Sequence, residues 1–311
     1  MTRLAARPTA QTGRMLIGLA LLAVYFVWGS TYLALRFLVE EFPPFLGNGI
    51  RFTIAGLALM AIVRRRGAPS PTSRQWWGGF QVGTLLFVGG VGLVAWAEQI
   101  GVGSGLAATA VAAMPLWAAL WSGLFGRWPA RVEWAGMVVG TLGVVILSRE
   151  GDFQGNPLGA ALMVVSPVLW ALGSVWSRKV DLPAGATATA VEMLGGGSAL
   201  FAAGLLRGER FDGSPSLSGW LALAYLIVFG SLLAFTAYMY LLDNVRPALA
   251  TSYAYVNPVV AVLLGVTLGS EHLSGQALVA LPLILGGVAL VATGRTGRLR
   301  SAGGCGTEPS G

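Results

Sequence analysis

Residues 244–269 read NVRPALATSYAYVNPVVAVLLGVTLG, and residues 101–126 read GVGSGLAATAVAAMPLWAALWSGLFG. Both are glycine-ended apolar runs interrupted by one proline, and Pro115 and Pro258 stand 143 positions apart. Leu106-Ala107 aligns with Leu249-Ala250, and Gly126 with Gly269. A proline inside a helix removes a hydrogen bond and clashes with the preceding turn, so it forces a kink. In a bilayer the freed carbonyl is tolerated only where it faces protein or a wet cavity. Interrupted helices at matching places in two halves of a chain mark the kind of central site found in carriers.

The composition agrees with a bilayer setting. The chain has 311 residues, 55% hydrophobic and 11% charged, with mean hydropathy +0.71. A soluble domain is about one-quarter charged. The net charge of +7 does not mark a nucleic-acid binder, because the arginines sit between apolar runs rather than on one face. Cys305 is the sole cysteine and His272 the sole histidine. A disulfide framework and a Cys/His metal centre are therefore excluded, and neither a metal nor another cofactor is expected.

Met1 to Arg14 is polar and carries Arg3, Arg7 and Arg14. With the apolar run behind it this segment imitates a signal peptide. The run continues past Trp28 to about residue 38 without a small-residue cleavage site, so it predicts a retained first helix. Ten spans near the length that crosses a bilayer follow, at 15–38, 44–63, 75–98, 103–125, 131–148, 157–177, 185–206, 217–242, 246–269 and 273–293. The expected fold is an all-α polytopic membrane protein of ten transmembrane helices.

Orientation follows from the distribution of basic residues. With the N-terminus in the cytoplasm, the inner segments hold Arg3, Arg7, Arg14, Arg64, Arg65, Arg66, Arg74, Arg127, Arg131, Arg178, Lys179, Arg246, Arg295, Arg298 and Arg300. The outer segments hold Arg149, Arg207 and Arg210, with Arg36 at the rim of helix 1. This asymmetry predicts both termini inside. The pairs Trp28/Trp170, Gly56/Gly197 and Gly143/Gly286 extend the internal repeat at spacings of 141 to 143. Each half then has five helices, and an odd number inserts the second half the other way up. The expected organisation is a tail at 1–14, one repeat at 15–148, a linker at 149–156, an inverted repeat at 157–293 and a tail at 294–311.

Several motifs resemble the EamA family of the drug/metabolite transporter superfamily. They are Trp28-Gly-Ser-Thr-Tyr-Leu-Ala-Leu-Arg36, Gly155-Asn-Pro157, Glu192-Met-Leu194, Ala237-Tyr-Met-Tyr-Leu241, Ser252-Tyr-Ala-Tyr-Val-Asn-Pro258 and the block from Pro247 to Leu264. The resemblance covers about residues 15 to 293. It implies a bacterial inner-membrane transporter that exports small metabolites or drugs by alternating access around a central cavity. It names no substrate. Arg127-Trp128 departs from the acidic residue that many members carry after the glycine, whereas Glu271 keeps it in the second half.

Charges inside a membrane are costly and need an account. Arg51 and Glu192 occupy corresponding places in helices 2 and 7 and suggest an ion pair near the midplane, as a gate or as a fixed strut. Glu98, at the end of helix 3, is a second candidate for coupling, with protons as the candidate ion. Trp28, Thr31, Tyr32, Trp96, Trp170, Ser174, Tyr238, Tyr253, Tyr255 and Asn257 are candidate cavity residues, suited to aromatic or amphipathic solutes. Ordinary helix packing is the competing account of each tyrosine. The expected partners are the lipid bilayer and a small-molecule substrate. A channel-like facilitator is the alternative function. An intramembrane enzyme is more distant, since Ser104 lacks the G-x-S-x-G spacing and no histidine is placed to serve it.

Overall fold

The protein is represented by a computed structural model. It describes residues 10–102, 107, 111, 113–148, 157–211, 213–268 and 275–293. Among these residues all regular structure is helical. Ten longer segments follow in order: α1 Ala10–Glu41, α2 Pro44–Arg65, α3 Ser73–Gln99, α4 Met114–Leu124, α5 Arg131–Ser148, α6 Pro157–Trp176, α7 Ala186–Leu206, α8 Leu217–Asn244, α9 Tyr253–Leu268 and α10 Gly275–Thr293. Six of them (α1, α2, α3, α6, α7 and α8) are long and apolar enough on their own to cross a membrane. The 149–156 linker, the 294–311 tail and Glu271 lie outside the described residues.

Local chemistry sets the helix ends. Pro44 starts α2, where its missing N–H costs nothing. Thr72 caps α3 in a reciprocal box: its hydroxyl accepts from the Gln75 N–H at 3.3 Å, and its own N–H donates to Gln75 Oε1 at 3.0 Å. Gly67 and Gly208, 141 positions apart, follow α2 and α7 with φ of 84° and 74°. Only glycine takes that left-handed turn without strain, so the two halves stop corresponding helices by the same device.

Two features are invisible in the hydropathy pattern. The middle of α3, Thr84–Gly92, is π-helical, and so is the middle of α8, Leu226–Leu233. A π turn leaves main-chain carbonyls without their usual partners, and such turns gather at functional sites. In addition, the chain approaching α9 breaks at Thr251–Ser252 after a short helical turn, Pro247–Ala250. That break precedes Pro258, which sits inside α9, while Pro115 occupies the first turn of α4.

The packing has the pattern that a two-fold relation between halves produces. α1 packs on α8 and α9, and α6 packs on α3 and α4. α2 packs on α7, and α5 on α10, each against its own counterpart. α7 also packs on α3, and close approach there and between α5 and α10 depends on missing side chains. A Cβ on Gly83 would stand 2.2 Å from the Glu192 carbonyl oxygen, and one on Gly287 would stand 2.6 Å from the Gly136 carbonyl oxygen.

Antiparallel packing of α2 on α7, with Gly49 against Phe201 and Gly56 against Leu194, separates Arg51 from Glu192. Arg51 lies seven residues into α2 and Glu192 six residues into α7, helices that start from opposite ends of the bundle. At about 1.5 Å of rise per residue they occupy opposite halves of its thickness. The expected ion pair is therefore not formed: Arg51 turns to α8, and both Glu192 carboxylate oxygens are enclosed without a hydrogen-bond partner.

Candidate functional site

A cavity of about 80 Å³ lies between the halves. From α1 it takes Trp28, Thr31 and Tyr32, from α2 Arg51 and Phe52, and from α4 Met114. The other half supplies Ser166 and Trp170 of α6, Phe235 of α8, and Tyr253 and Asn257 of α9. Both π segments reach its wall, through Gly90 and Gly230.

The carbonyls of those two glycines explain why the segments matter. The Trp28 indole N–H donates to the Gly230 carbonyl at 3.0 Å, and the Ser166 hydroxyl donates to the Gly90 carbonyl at 3.0 Å. Each bond joins a helix of one half to the π segment of the other. Trp170 uses its indole differently and donates to the Tyr238 hydroxyl at 3.2 Å. That hydroxyl also shares a 2.5 Å hydrogen bond with Ser174, whose hydroxyl lies 2.7 Å from the Trp170 carbonyl.

Trp28, Trp170, Tyr238 and Tyr253 form one aromatic layer. The Trp28 ring meets Trp170 edge-on at 5.5 Å and Tyr253 at 4.6 Å, with Tyr238 tilted at 5.1 Å. Such edge-on contacts add to the stabilisation from burial alone. The layer lies toward the end of the bundle where α1 begins. Beyond it Tyr25 bonds Ser252 at 2.7 Å, tying α1 to the break before α9.

At that end lies a wider polar vestibule of about 650 Å³, whose charged residues are Arg127, Glu133, Arg178, Asp243 and Arg246. Glu133 of α5 pairs with Arg246 of the α8–α9 connection, a link across the halves. Arg178 donates to the Val245 carbonyl at 2.7 Å. Burial, and next the field of Arg127, lowers the Arg178 guanidinium below the ordinary arginine value, while Asp243 pulls the other way.

Arg51 is 5% exposed, and its polar contacts are all neutral. Nε donates to the Ser231 hydroxyl at 2.8 Å, Nη1 to Asn48 Oδ1 at 3.3 Å, and the guanidinium lies 4.6 Å above the Phe52 ring centre. Asn257 is fully enclosed, and neither its amide oxygen nor its nitrogen has a well-formed partner, although the Tyr32 hydroxyl approaches it.

The remaining candidates stand elsewhere. Ser174 and Tyr238 back the cavity without lining it. Trp96 lies under the Arg207 guanidinium at 3.8 Å. Tyr255 is buried between α9 and α5, donating to the Met137 carbonyl at 3.2 Å. Glu98 is nearly enclosed at the end of α3, with neither oxygen hydrogen-bonded, in the field of Arg36 and Tyr32. Glu192 lies beside the layer, in the field of its member Tyr238 and of Asp243. Sequence reasoning did not pick out Phe52, Met114, Ser166 or Phe235, nor the Arg51–Ser231 contact. The glycine clusters Gly89-Gly90-Val91-Gly92 and Gly230-Ser231 were the available signal for the π segments.

The arrangement has relatives among known proteins. The model of the EamA-like transporter family matches residues 15–149 and again 157–293. The inner membrane transporter YedA of Escherichia coli (strain K12) is 46% identical over 276 residues, covering 89% of this chain and 90% of that protein. The transporter sll0355 of Synechocystis sp. is 26% identical, covering 83% and 84%. A crystal structure superposes with a TM-score of 0.70 at 24% identity, covering 90% of this chain and 96% of that one, a likeness of fold. The duplicated family match coincides with the two helical halves that enclose the cavity, and the chain belongs to the EamA-like transporter family, as a multi-pass protein of the inner membrane.

Proposed function

We propose that the protein is a secondary carrier that exports small organic metabolites, amino-acid-like solutes or drugs, by alternating access. The observation that carries this reading is the position of the cavity: both halves wall it, and one aromatic layer separates it from the polar vestibule. With the termini in the cytoplasm, as the arginine distribution predicts, the vestibule is the inner mouth and the layer the inner gate. Rocking of one inverted repeat against the other would open this gate while closing the outer end. The break at Thr251–Ser252, the start of α4 at Pro115 and the proline inside α9 at Pro258 are the places where the helices can yield.

Proton coupling through Glu98 and Glu192 belongs to the same proposal. Each is a carboxyl group within the helical bundle with no hydrogen-bond partner, and a lone charge there is costly. Glu98 stands at the far end of α3 and Glu192 beside Tyr238 of the aromatic layer, so the two would serve proton uptake and release at different depths. Uphill export driven by an imposed proton gradient in proteoliposomes tests this. Transport unchanged after the gradient is collapsed would remove the coupling and leave a facilitator.

A further inference from the structure

We propose that Arg51 is the anion receptor of the central cavity, so that a transported solute must carry a carboxylate. This rests on the carrier reading and adds a chemical requirement to it. A guanidinium two turns inside a membrane helix is normally matched by a counter-charge. Among the described residues Arg51 has none: the four ion pairs found there all involve other residues. Its partners instead fix its direction. Ser231 holds Nε and Asn48 holds Nη1, and Asn48 is itself held by the Pro44 carbonyl at 2.8 Å.

The third nitrogen, Nη2, is left beside Gly230, where an added Cβ would stand 2.9 Å away. The absent side chain keeps that edge of the guanidinium clear. A carboxylate is the planar acceptor that matches such an edge. Asn257 supplies the second, independent observation. Its amide is enclosed, lines the same cavity and has neither polar atom in a well-formed hydrogen bond, with the Tyr32 hydroxyl its near polar neighbour. An amide so poorly paired is costly to bury, and a polar group on the solute next to the carboxylate would complete its hydrogen bonding. The rings of Trp28, Trp170 and Phe235 then take the apolar remainder.

The test uses matched pairs: alanine, leucine and phenylalanine against their amides, and butyrate and benzoate against butyramide and benzamide. Binding is read from the shift in thermal unfolding of the purified protein, and transport from counterflow in proteoliposomes. The wild type is expected to prefer the acid in at least one pair by about 10- to 100-fold. Arg51→Gln should bring acid and amide together, and Arg51→Lys, which keeps the charge, should restore part of the preference. Arg36→Gln, at an exposed ion pair on the rim, should leave it unchanged.

Equal use of acid and amide by the wild type, a preference that survives in Arg51→Gln, or no binding of any acid would overturn the inference. Counterflow of a cationic dye lacking a carboxylate, such as ethidium, would sustain the carrier and overturn the carboxylate requirement. Acid-selective, Arg51-dependent binding without counterflow would do the reverse.

Discussion

Trp28 and Arg51 are held by adjacent residues of one π-helical turn: the Trp28 indole donates to the Gly230 carbonyl at 3.0 Å, and Arg51 Nε donates to the Ser231 hydroxyl at 2.8 Å. One residue belongs to the aromatic layer and the other to the cavity wall. A shift of the α8 segment must therefore move both. Trp28→Phe keeps an aromatic ring and removes the donor, leaving a buried carbonyl unpaired. A loss of about 1–3 kcal/mol in stability is expected, read as a lower unfolding temperature in detergent. An unchanged melting curve would show that this bond contributes nothing to the fold.

The Glu133–Arg246 pair joins α5 to the α8–α9 connection, and Glu133 also accepts from the Ala130 N–H at 2.7 Å. Glu133 is almost fully buried. Removing one partner of a buried pair leaves an uncompensated charge, at a cost on the order of 3 kcal/mol. Arg246 is partly exposed, so the cost of Glu133→Gln should fall below that figure. A double-mutant cycle with Arg246→Gln should show coupling well above the experimental error. Simple additivity would mean that the Glu133–Arg246 pair is not formed in the membrane.

Gly83 and Gly196 make the contact between α3 and α7 possible. A Cβ on Gly196 would meet a Phe87 ring carbon at 2.2 Å and the Gly83 carbonyl oxygen at 2.6 Å. The carbonyl cannot yield without moving the helix. Gly196→Ala should cost roughly 1–3 kcal/mol through overpacking. Gly18→Ala, where nothing lies within 4 Å, is the control and should be silent in the same unfolding assay.

Glu192→Gln is nearly isosteric and cannot ionise. If Glu192 carries the coupled proton, the variant should keep solute exchange and lose uphill transport driven by a proton gradient. Parallel exchange and gradient-driven assays in proteoliposomes separate the two. Full gradient-driven transport by the variant would place the proton elsewhere, with Glu98 the remaining candidate.

The large features of the fold were legible because the bilayer imposes them. Ten apolar runs, repeated prolines and the spacing between Trp28 and Trp170 lead directly to the duplicated helical halves. Part of the cavity was legible for a related reason, since Trp28, Asn257 and Arg51 are polar groups where an apolar chain has no need of them. The Arg51–Glu192 pairing failed on geometry. Residues related by a two-fold between halves sit at mirrored depths, so they meet only at the axis. The π segments were hidden because one extra residue per turn leaves composition and hydropathy unchanged.

Counterflow in proteoliposomes distinguishes a carrier from a pore. Vesicles loaded with an unlabelled solute from the acid series would be followed for entry of the same labelled solute. Entry should be accelerated by the internal solute and should saturate with concentration, because each return of the central cavity carries a molecule. Entry that rises linearly with concentration and ignores the internal solute would contradict it, and would make the path between the two halves a pore.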